Sequence, residues 1–319
     1  MFTFVLICVA VLYIWWWIRD GSRISTFTDR YVLITGCDTG FGNYAARSFD
    51  KLGFRVLATC LTENGACLLK QETSERLKTV LLDVTDTKSV QRVAEWVKEV
   101  TGSQGLWGLV NNAGVMGTLA PIDWLSIDDI RDPIEVNLIG LIHVTLAMIP
   151  MIKKAKGRIV NISSVGGRVA ASGGGYFCSK YGVEGFNDSL RRDMKAFGVK
   201  VCCIEPGLFK TPLSDPHKVL QQRTLIWEKL SASIKEEYGD NYLQIDAAKK
   251  QKLNHIRESD LSIVAWCMEH ALTSQHPRTR YSVGRDATYL WIPLSYMPTF
   301  VQDFVILKNK VKIPTTGAM

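Results

Sequence analysis

The chain has 319 residues, 47% of them apolar and 22% charged, with a formal net charge of +7 and a pI near 8.9. That apolar share can bury one large domain or two small ones, and it excludes a disordered chain. The positive charge is dispersed, with no dense Lys/Arg block and no basic–aromatic interleaving. This argues against a nucleic-acid partner and fits a surface beside an anionic membrane.

The first eighteen residues, MFTFVLICVAVLYIWWWI, carry no charge. As a helix they reach roughly 27 Å, enough for the core of a bilayer. Trp15, Trp16 and Trp17 stand at the end like an interfacial belt, and Arg19, Asp20 and Arg23 follow. A cleaved signal peptide calls for a basic start and a small-residue cleavage site, which this stretch lacks. Residues 1–18 are expected to form a membrane anchor and 19–28 a linker. The two arginines lean toward a body on the cytosolic side.

YVLIT (31–35) is a short apolar run ending in glycines, the pattern of a strand buried on both faces. A helix is expected over 42–52, a strand over 54–61, a helix over 66–77 and a strand over 78–85. Residues 87–101 have helical spacing, with Val90, Val93, Ala94, Val97 and Val100 on one face. Then come a strand over 105–114, a long helix over 124–154, a strand over 157–164, a helix over 176–197 and a strand over 198–207. Strands alternating with helices make βαβ units. The expected fold class is therefore α/β, a Rossmann-type doubly wound parallel sheet in a domain over 29–285, with its ligand at the carboxyl ends of the strands. Residues 212–258 are polar and charged and read as helices and loops covering a site, within a lid region expected over 208–258. YSVG (281–284) reads as a seventh strand at the sheet edge. In the tail, 286–319, an apolar stretch from Tyr289 to Leu307 is interrupted by Pro293, Pro298 and Asp303. It is expected to pack on the body or skim a membrane rather than span one.

Eight cysteines form no CxxC pair, and several lie in apolar runs, so they read as reduced core thiols. Five scattered histidines offer no metal-ligand spacing. Of two glycosylation sequons, Asn161-Ile-Ser lies in an expected buried strand and should be silent, whereas Asn187-Asp-Ser is a candidate surface site.

TGCDTGFG (35–42) lies between the first strand and the first helix, with Gly36, Gly40 and Gly42 in a G-x-x-x-G-x-G spacing. Glycines allow a tight turn and close approach to a pyrophosphate, and the helix start adds free N–H groups. A Gly-rich turn without a ligand is the bland alternative, and the strand–turn–helix context favours a dinucleotide. Asp38 would repel the extra phosphate of NADP, and no Arg or Lys follows the second strand at 59–63. NAD is thus preferred over NADP. Asp83, at the end of the third strand, could meet the adenine amino group or simply cap a helix. Asn111 and Asn112 end the fourth strand, where a cofactor must pass or a turn could need them. Tyr176 and Lys180 are four residues apart and share a helix face, a spacing that by itself occurs by chance.

Taken in order, TGCDTGFG, LDV at 82–84, NNAG at 111–114, Asn137, Ser164, Tyr176-x-x-x-Lys180 and EPG at 205–207 resemble the short-chain dehydrogenase/reductase family over residues 29–285. The stretches CLTENGA, ETSERLKTVLLDVTD, DSLRRDMKAFGVKV and CIEPGLFKT look like its membrane-bound retinol and hydroxysteroid dehydrogenase branch. The resemblance implies NAD-dependent oxidation of a lipophilic alcohol at the endoplasmic reticulum membrane, all-trans-retinol to retinal or a 3α-hydroxysteroid to a ketosteroid. It also implies a homodimer formed through the helices at 124–154 and 176–197.

For the site, it implies Tyr176 as general base, Lys180 as its electrostatic partner and ribose contact, Ser164 as holder of the substrate oxygen, and Asn137 as anchor of a water in a proton path. It assigns the cofactor to Gly36, Cys37, Asp38, Thr39, Gly40, Phe41, Gly42, Asp83, Val84, Asn111, Ala113, Gly114, Lys180, Pro206, Gly207 and Thr211. The substrate falls to Ser164, Tyr176, Leu208 and Phe209, and Leu225, Ile226 and Trp227 would suit a lipophilic alcohol or plain packing. The roles make chemical sense. A free phenol, with a pKa of about 10, is a poor base at neutral pH, and a nearby ammonium and a positive nicotinamide favour its ionised form. Ser163 is the rival of Ser164, but alternation along a strand points it to the other face. One departure is the missing aspartate at the end of the second strand, where NAD sites of the family carry one. The alternative reading is a membrane-tethered NAD(H)-binding scaffold or sensor with little turnover.

Overall fold

A computed structural model describes residues 2–251, 256–308, 310, 311 and 313. The chain opens with helix α1 (Phe2–Gly21) and then alternates: β1 (Tyr31–Ile34), α2 (Gly40–Lys51), β2 (Arg55–Cys60), α3 (Glu63–Gln71), β3 (Lys78–Leu81), α4 (Thr87–Thr101) and β4 (Gly108–Asn111). Next come α5 (Ile127–Ile134), α6 (Leu141–Ala155), β5 (Arg158–Ile162), α7 (Gly175–Met194) and β6 (Lys200–Pro206). The polar region forms α8 (Pro216–Lys229), α9 (Ala232–Tyr238) and α10 (Tyr242–Gln251). The last elements are α11 (Ser262–Thr273), β7 (Arg280–Val283), α12 (Ile292–Ser295) and α13 (Thr299–Lys308).

The strands pair in parallel in the order β3-β2-β1-β4-β5-β6-β7. They are apolar on both faces because helices cover both faces. Phe49, Phe54, Met268, Leu272 and Tyr281 belong to one buried layer. Val90, Val93, Val97, Val144, Met148 and Leu190 belong to the other. The sheet runs outward in both directions from β1 and β4, so their carboxyl ends part into a crevice.

Each expected strand is present, and α11 is the main addition. Its sequence, SIVAWCMEHALT, is buried on most sides, at Val264, Ala265, Met268, Ala271 and Leu272 among others, so no polar face marks it as a helix. The long helix expected over 124–154 is interrupted by a π-turn at Glu135–Gly140, next to Pro133. Ile127–Ala155 is long and apolar enough to cross a membrane, yet it packs against α4, α7 and β4 and serves as a core element.

Helix α1 exposes Val11, Leu12, Ile14, Trp15, Trp17 and Ile18. The expected linker behind it is docked rather than loose. Asp20 accepts two bonds from Arg278, at 2.8 and 2.6 Å, and its carbonyl lies 2.9 Å from His270 Nε2. Ile24 N donates to Thr273 O at 2.8 Å and Gln275 N to Ser22 O at 2.9 Å.

Both sequon asparagines are fully buried, which corrects the expectation of a surface site at Asn187. Asn111 Nδ2 donates to Thr145 Oγ1 and to Asn161 Oδ1, and Asn161 Nδ2 donates to Asn187 Oδ1 at 3.0 Å. A glycan cannot reach a side chain locked in a buried amide ladder. Five of the cysteines, Cys37, Cys60, Cys202, Cys203 and Cys267, are buried as core thiols, while Cys8, Cys67 and Cys178 are exposed.

Candidate active site

A cavity of about 970 Å³ opens at the carboxyl ends of the strands. Its nucleotide half is built by the turn from β1 into α2. Gly36 has φ +70°, and a Cβ there would lie 2.8 Å from Ala113 Cα. Only glycine lets the turn close on the NNAG segment. Thr39 caps α2 without a side-chain bond to the helix, so the first-turn N–H groups face the cavity unspent. Gly36, Asp38, Thr39, Gly40 and Phe41 line this end, with Asp83, Val84, Ala113 and Gly114 beside them. An open helix start beside a glycine turn fits the pyrophosphate of a dinucleotide.

Asp38 reaches across to the end of β2. Its carboxylate accepts from Leu61 N at 2.8 Å, Thr62 N at 3.0 Å and Thr62 Oγ1 at 2.8 Å. The acidic group missing from the second strand in sequence is thus supplied in space by the glycine loop, 23 residues earlier.

Three of the expected cofactor contacts need correction. The Asn111 side chain turns into the sheet, held by Thr145 and Asn161, and does not line the cavity. Cys37 is buried, with its thiol on Ile34 O, and Gly42 also stands back from the lining. The Asn111 and Cys37 side chains are engaged inside the fold, and Gly42 closes on the backbone of the turn, where a Cβ would lie 2.4 Å from Gly36 O. Asn112, the other candidate of the pair, lines the cavity and braces the loop by donating to Thr35 O at 2.9 Å and Gly36 O at 3.0 Å. Adjacent asparagines carried no signal of which faces the ligand.

The other end of the cavity lies where β5, α7 and β6 meet. Ser164 Oγ accepts from Gly166 N at 3.0 Å and lies 3.5 Å from Pro206 O. Ser163 instead sends its hydroxyl to Lys180 O at 3.4 Å. Helix α7 begins at Gly175, where a Cβ would come within 2.1 Å of Ile130 O, so glycine lets Tyr176 enter beneath α5. Burial pushes the Tyr176 phenol above its ordinary value, and a hydrogen bond with Ser164 pulls it back. Lys180 Nζ lies 5.8 Å from the centre of the Tyr176 ring and donates to Ile162 O at 2.8 Å. Burial pushes it down to about 8, opposed by Cys203 and Glu184. In this cavity burial outweighs the acidifying pull on Tyr176 expected from the lysine alone.

Asn137 is fully buried behind this wall rather than in it. It accepts from Val115 N at 2.7 Å and donates to Val115 O at 2.9 Å and Ser179 Oγ at 3.0 Å. Those bonds occur inside the π-turn, which explains why the residue tolerates a helical position.

Pro206, Gly207, Leu208, Phe209 and Thr211 run along the roof of the cavity. Phe209 meets Phe41 edge-on at 5.2 Å, which holds this roof to the glycine loop. Leu225, Ile226 and Trp227 do not line the cavity. Ile226 and Trp227 pack with Trp124, and Leu225 faces outward. Trp291, from the segment after β7, closes the cavity wall and was not anticipated.

The family model described as short chain dehydrogenase matches residues 30–220. Over 304 residues the chain is 60% identical to dehydrogenase/reductase SDR family member 9 of Homo sapiens, covering 95% of each chain. It is 50% identical over 285 residues to retinol dehydrogenase 16 of Rattus norvegicus, covering 89% of this chain and 90% of the relative. With 17-beta-hydroxysteroid dehydrogenase type 6 of Bos taurus it shares 48% identity over 311 residues, 97% of this chain and 98% of the relative. The crystal structure of an actinorhodin polyketide ketoreductase with NADPH superposes with a TM-score of 0.59 at 27% identity, over 78% of this chain and 92% of that one.

Proposed function

The chain belongs to the short-chain dehydrogenase/reductase family of oxidoreductases acting on CH–OH donors, and from that premise we propose that it oxidises a lipophilic secondary or allylic alcohol with NAD. Retinol and hydroxysteroids are the substrate classes that the names of its relatives suggest. The observation that carries the reading is the meeting of Ser164, Tyr176 and Lys180 at one end of a cavity whose other end is the glycine turn.

Bound NAD supplies the acceptor for the hydride. Tyr176 takes the hydroxyl proton as general base. Ser164 holds the same oxygen by hydrogen bond while charge shifts in the transition state. Lys180 contributes positive charge beside the phenol and reaches toward the cofactor ribose. Asn137, through Ser179 and Val115, fixes the π-turn behind them, where a water would connect to the lysine. Asp38 favours NAD, because its carboxylate sits where the extra phosphate of NADP would have to enter. The apolar roof at Leu208 and Phe209 suits an alcohol with little polar surface. Helix α1, with its exposed apolar side chains, acts as an anchor in the endoplasmic reticulum membrane, and the tail after β7 rests near the same lipid. Exposed Ile139, Leu146 and Tyr181 on the π-turn, α6 and α7 suit a homodimer face.

The test is alcohol oxidation by the detergent-solubilised protein, with NAD or NADP and with retinol, a 3α-hydroxysteroid or a 17β-hydroxysteroid. Turnover with NAD should fall by about 10²-fold or more in Tyr176→Phe. Wild type no faster than Tyr176→Phe on each alcohol, with NADH still bound, would favour the scaffold reading instead.

A further inference from the structure

Ser164 sits at the head of a tight turn, Val165–Gly167, which closes through Gly167 N to Ser164 O at 2.9 Å and Arg168 N to Val165 O at 3.0 Å. The serine hydroxyl bridges this turn to the end of β6 only by its long contact with Pro206 O, 3.5 Å. Such a contact cannot set the gap it spans. One residue before Pro206 is Glu205, 1% exposed, whose Oε1 accepts from Arg168 Nη1 at 2.9 Å. Arg168 and Glu205 therefore tie together the two segments between which Ser164 presents its hydroxyl.

The tie is itself held from behind. Arg280 Nε lies 3.7 Å from Glu205 Oε1 and 3.0 Å from Glu184 Oε2, and Arg280 Nη2 donates to Asp188 Oδ1 at 3.0 Å. Cys203 Sγ donates to Glu184 Oε1 at 3.2 Å. Tyr176, Lys180, Glu184 and Asp188 follow one another at four-residue steps along α7, so one helix face carries both the reactive pair and the acids that fix Arg280. On the outer side, the Arg168 guanidinium lies 5.1 Å from the centre of the exposed Tyr296 ring. Neither Arg168 nor Glu205 lines the cavity.

We propose that Arg168 is a positioning residue for the oxidation, with Glu205 as its partner: their part-buried ion pair sets the separation of the Ser164 turn from the end of β6 and so aims the Ser164 hydroxyl at the substrate oxygen. The idea rests on the dehydrogenase reading above. A misplacement of about 1 Å costs on the order of 10²-fold in rate, and a loosened turn should cost part of that. Arg168→Ala and Glu205→Gln are each expected to lower kcat about tenfold while KM for NAD stays within about twofold. The double variant should be no slower than either single one, because both remove the same tie. Arg168→Lys, which keeps one charged donor, should recover part of the rate.

The measurement is kcat and both KM values for these four variants, with thermal melting in parallel. Wild-type kcat in melting-competent variants, or losses that multiply in the double variant, would overturn the proposal. If Arg168→Ala does not fold, Arg168→Lys and the near-isosteric Glu205→Gln decide it by the same criteria. A wild type inactive on all three alcohols would overturn the dehydrogenase reading, and the positioning role with it. Wild-type turnover with unaffected variants overturns the positioning role alone.

Discussion

Burial acts on Tyr176 and Lys180 toward the same end, since it favours the neutral form of each. The site thus holds a lysine whose charge is costly in the folded protein. Between pH 8 and 10.5 the unfolded chain binds the extra proton at Lys180, so stability rises with pH across that window. The cost is complete below pH 8, about 3 kcal/mol for a pKa pushed to about 8. Lys180→Met removes it at the loss of one hydrogen bond to Ile162 O, itself about 1 kcal/mol. The inactive variant should therefore be more stable by about 2 kcal/mol at pH 7, with the advantage shrinking toward pH 10. Urea unfolding of both proteins at the two pH values checks this, and a gap that ignores pH would mean that the lysine is not depressed. The candidates Tyr176, Lys180 and Ser164 were legible as a set in the ordered motifs. Their electrostatic state was not, because it depends on desolvation by α5, β5 and the turn after Ser164.

The region after β6 shows what periodicity can and cannot supply for an element. Residues 208–258 read as polar cover, and they do form α8, α9 and α10. What seats these helices is a partner from far upstream. Trp124 meets Trp227 at 5.0 Å, Tyr238 at 5.0 Å and Tyr242 at 5.4 Å, and Tyr238 OH donates to Asp123 at 2.7 Å. One ring from the loop before α5 thus collects three from α8, α9 and α10. Truncation of a buried aromatic costs about 3–5 kcal/mol. Trp124→Ala should lower thermal stability accordingly and raise KM for the alcohol several-fold, with KM for NAD unchanged. An unaltered alcohol KM in a destabilised variant would show that the cluster holds the fold but not the substrate roof. The strands were legible because a doubly covered sheet needs short, mostly apolar runs, such as YVLI and the IV of RIVNI. Helix α11 escaped for the opposite reason, since a helix buried nearly all round keeps no polar stripe.

At the scale of the whole molecule, α1 is coupled to the body through Asp20, Ser22 and Ile24, and Arg278 also lies over the Trp16 ring at 5.2 Å. A bilayer holding residues 1–18 would therefore hold the body in a defined pose rather than on a loose tether. If the anchored body draws its alcohol from the bilayer, deleting residues 1–18 should raise the apparent KM for a lipid-soluble alcohol in vesicles more than in detergent micelles, and equal effects in the two would rule that route out. The amino-acid sequence by itself determined the alternation of seven strands with helices, the turn at 35–42 and the i, i+4 pair on α7, since each follows from periodicity or from spacing within a few residues. Only the tertiary structure decided that Asp38 stands at the end of β2, that Asn111 faces the core, that Asn187 is buried, and that Arg168 meets Glu205. Those partners lie 23 to 50 residues apart, and Arg278 and Asp20 lie 258 apart. No local pattern records such a pairing. It comes into being when the sheet closes, because which end of a side chain is left in the crevice depends on the neighbours that arrive from elsewhere in the chain.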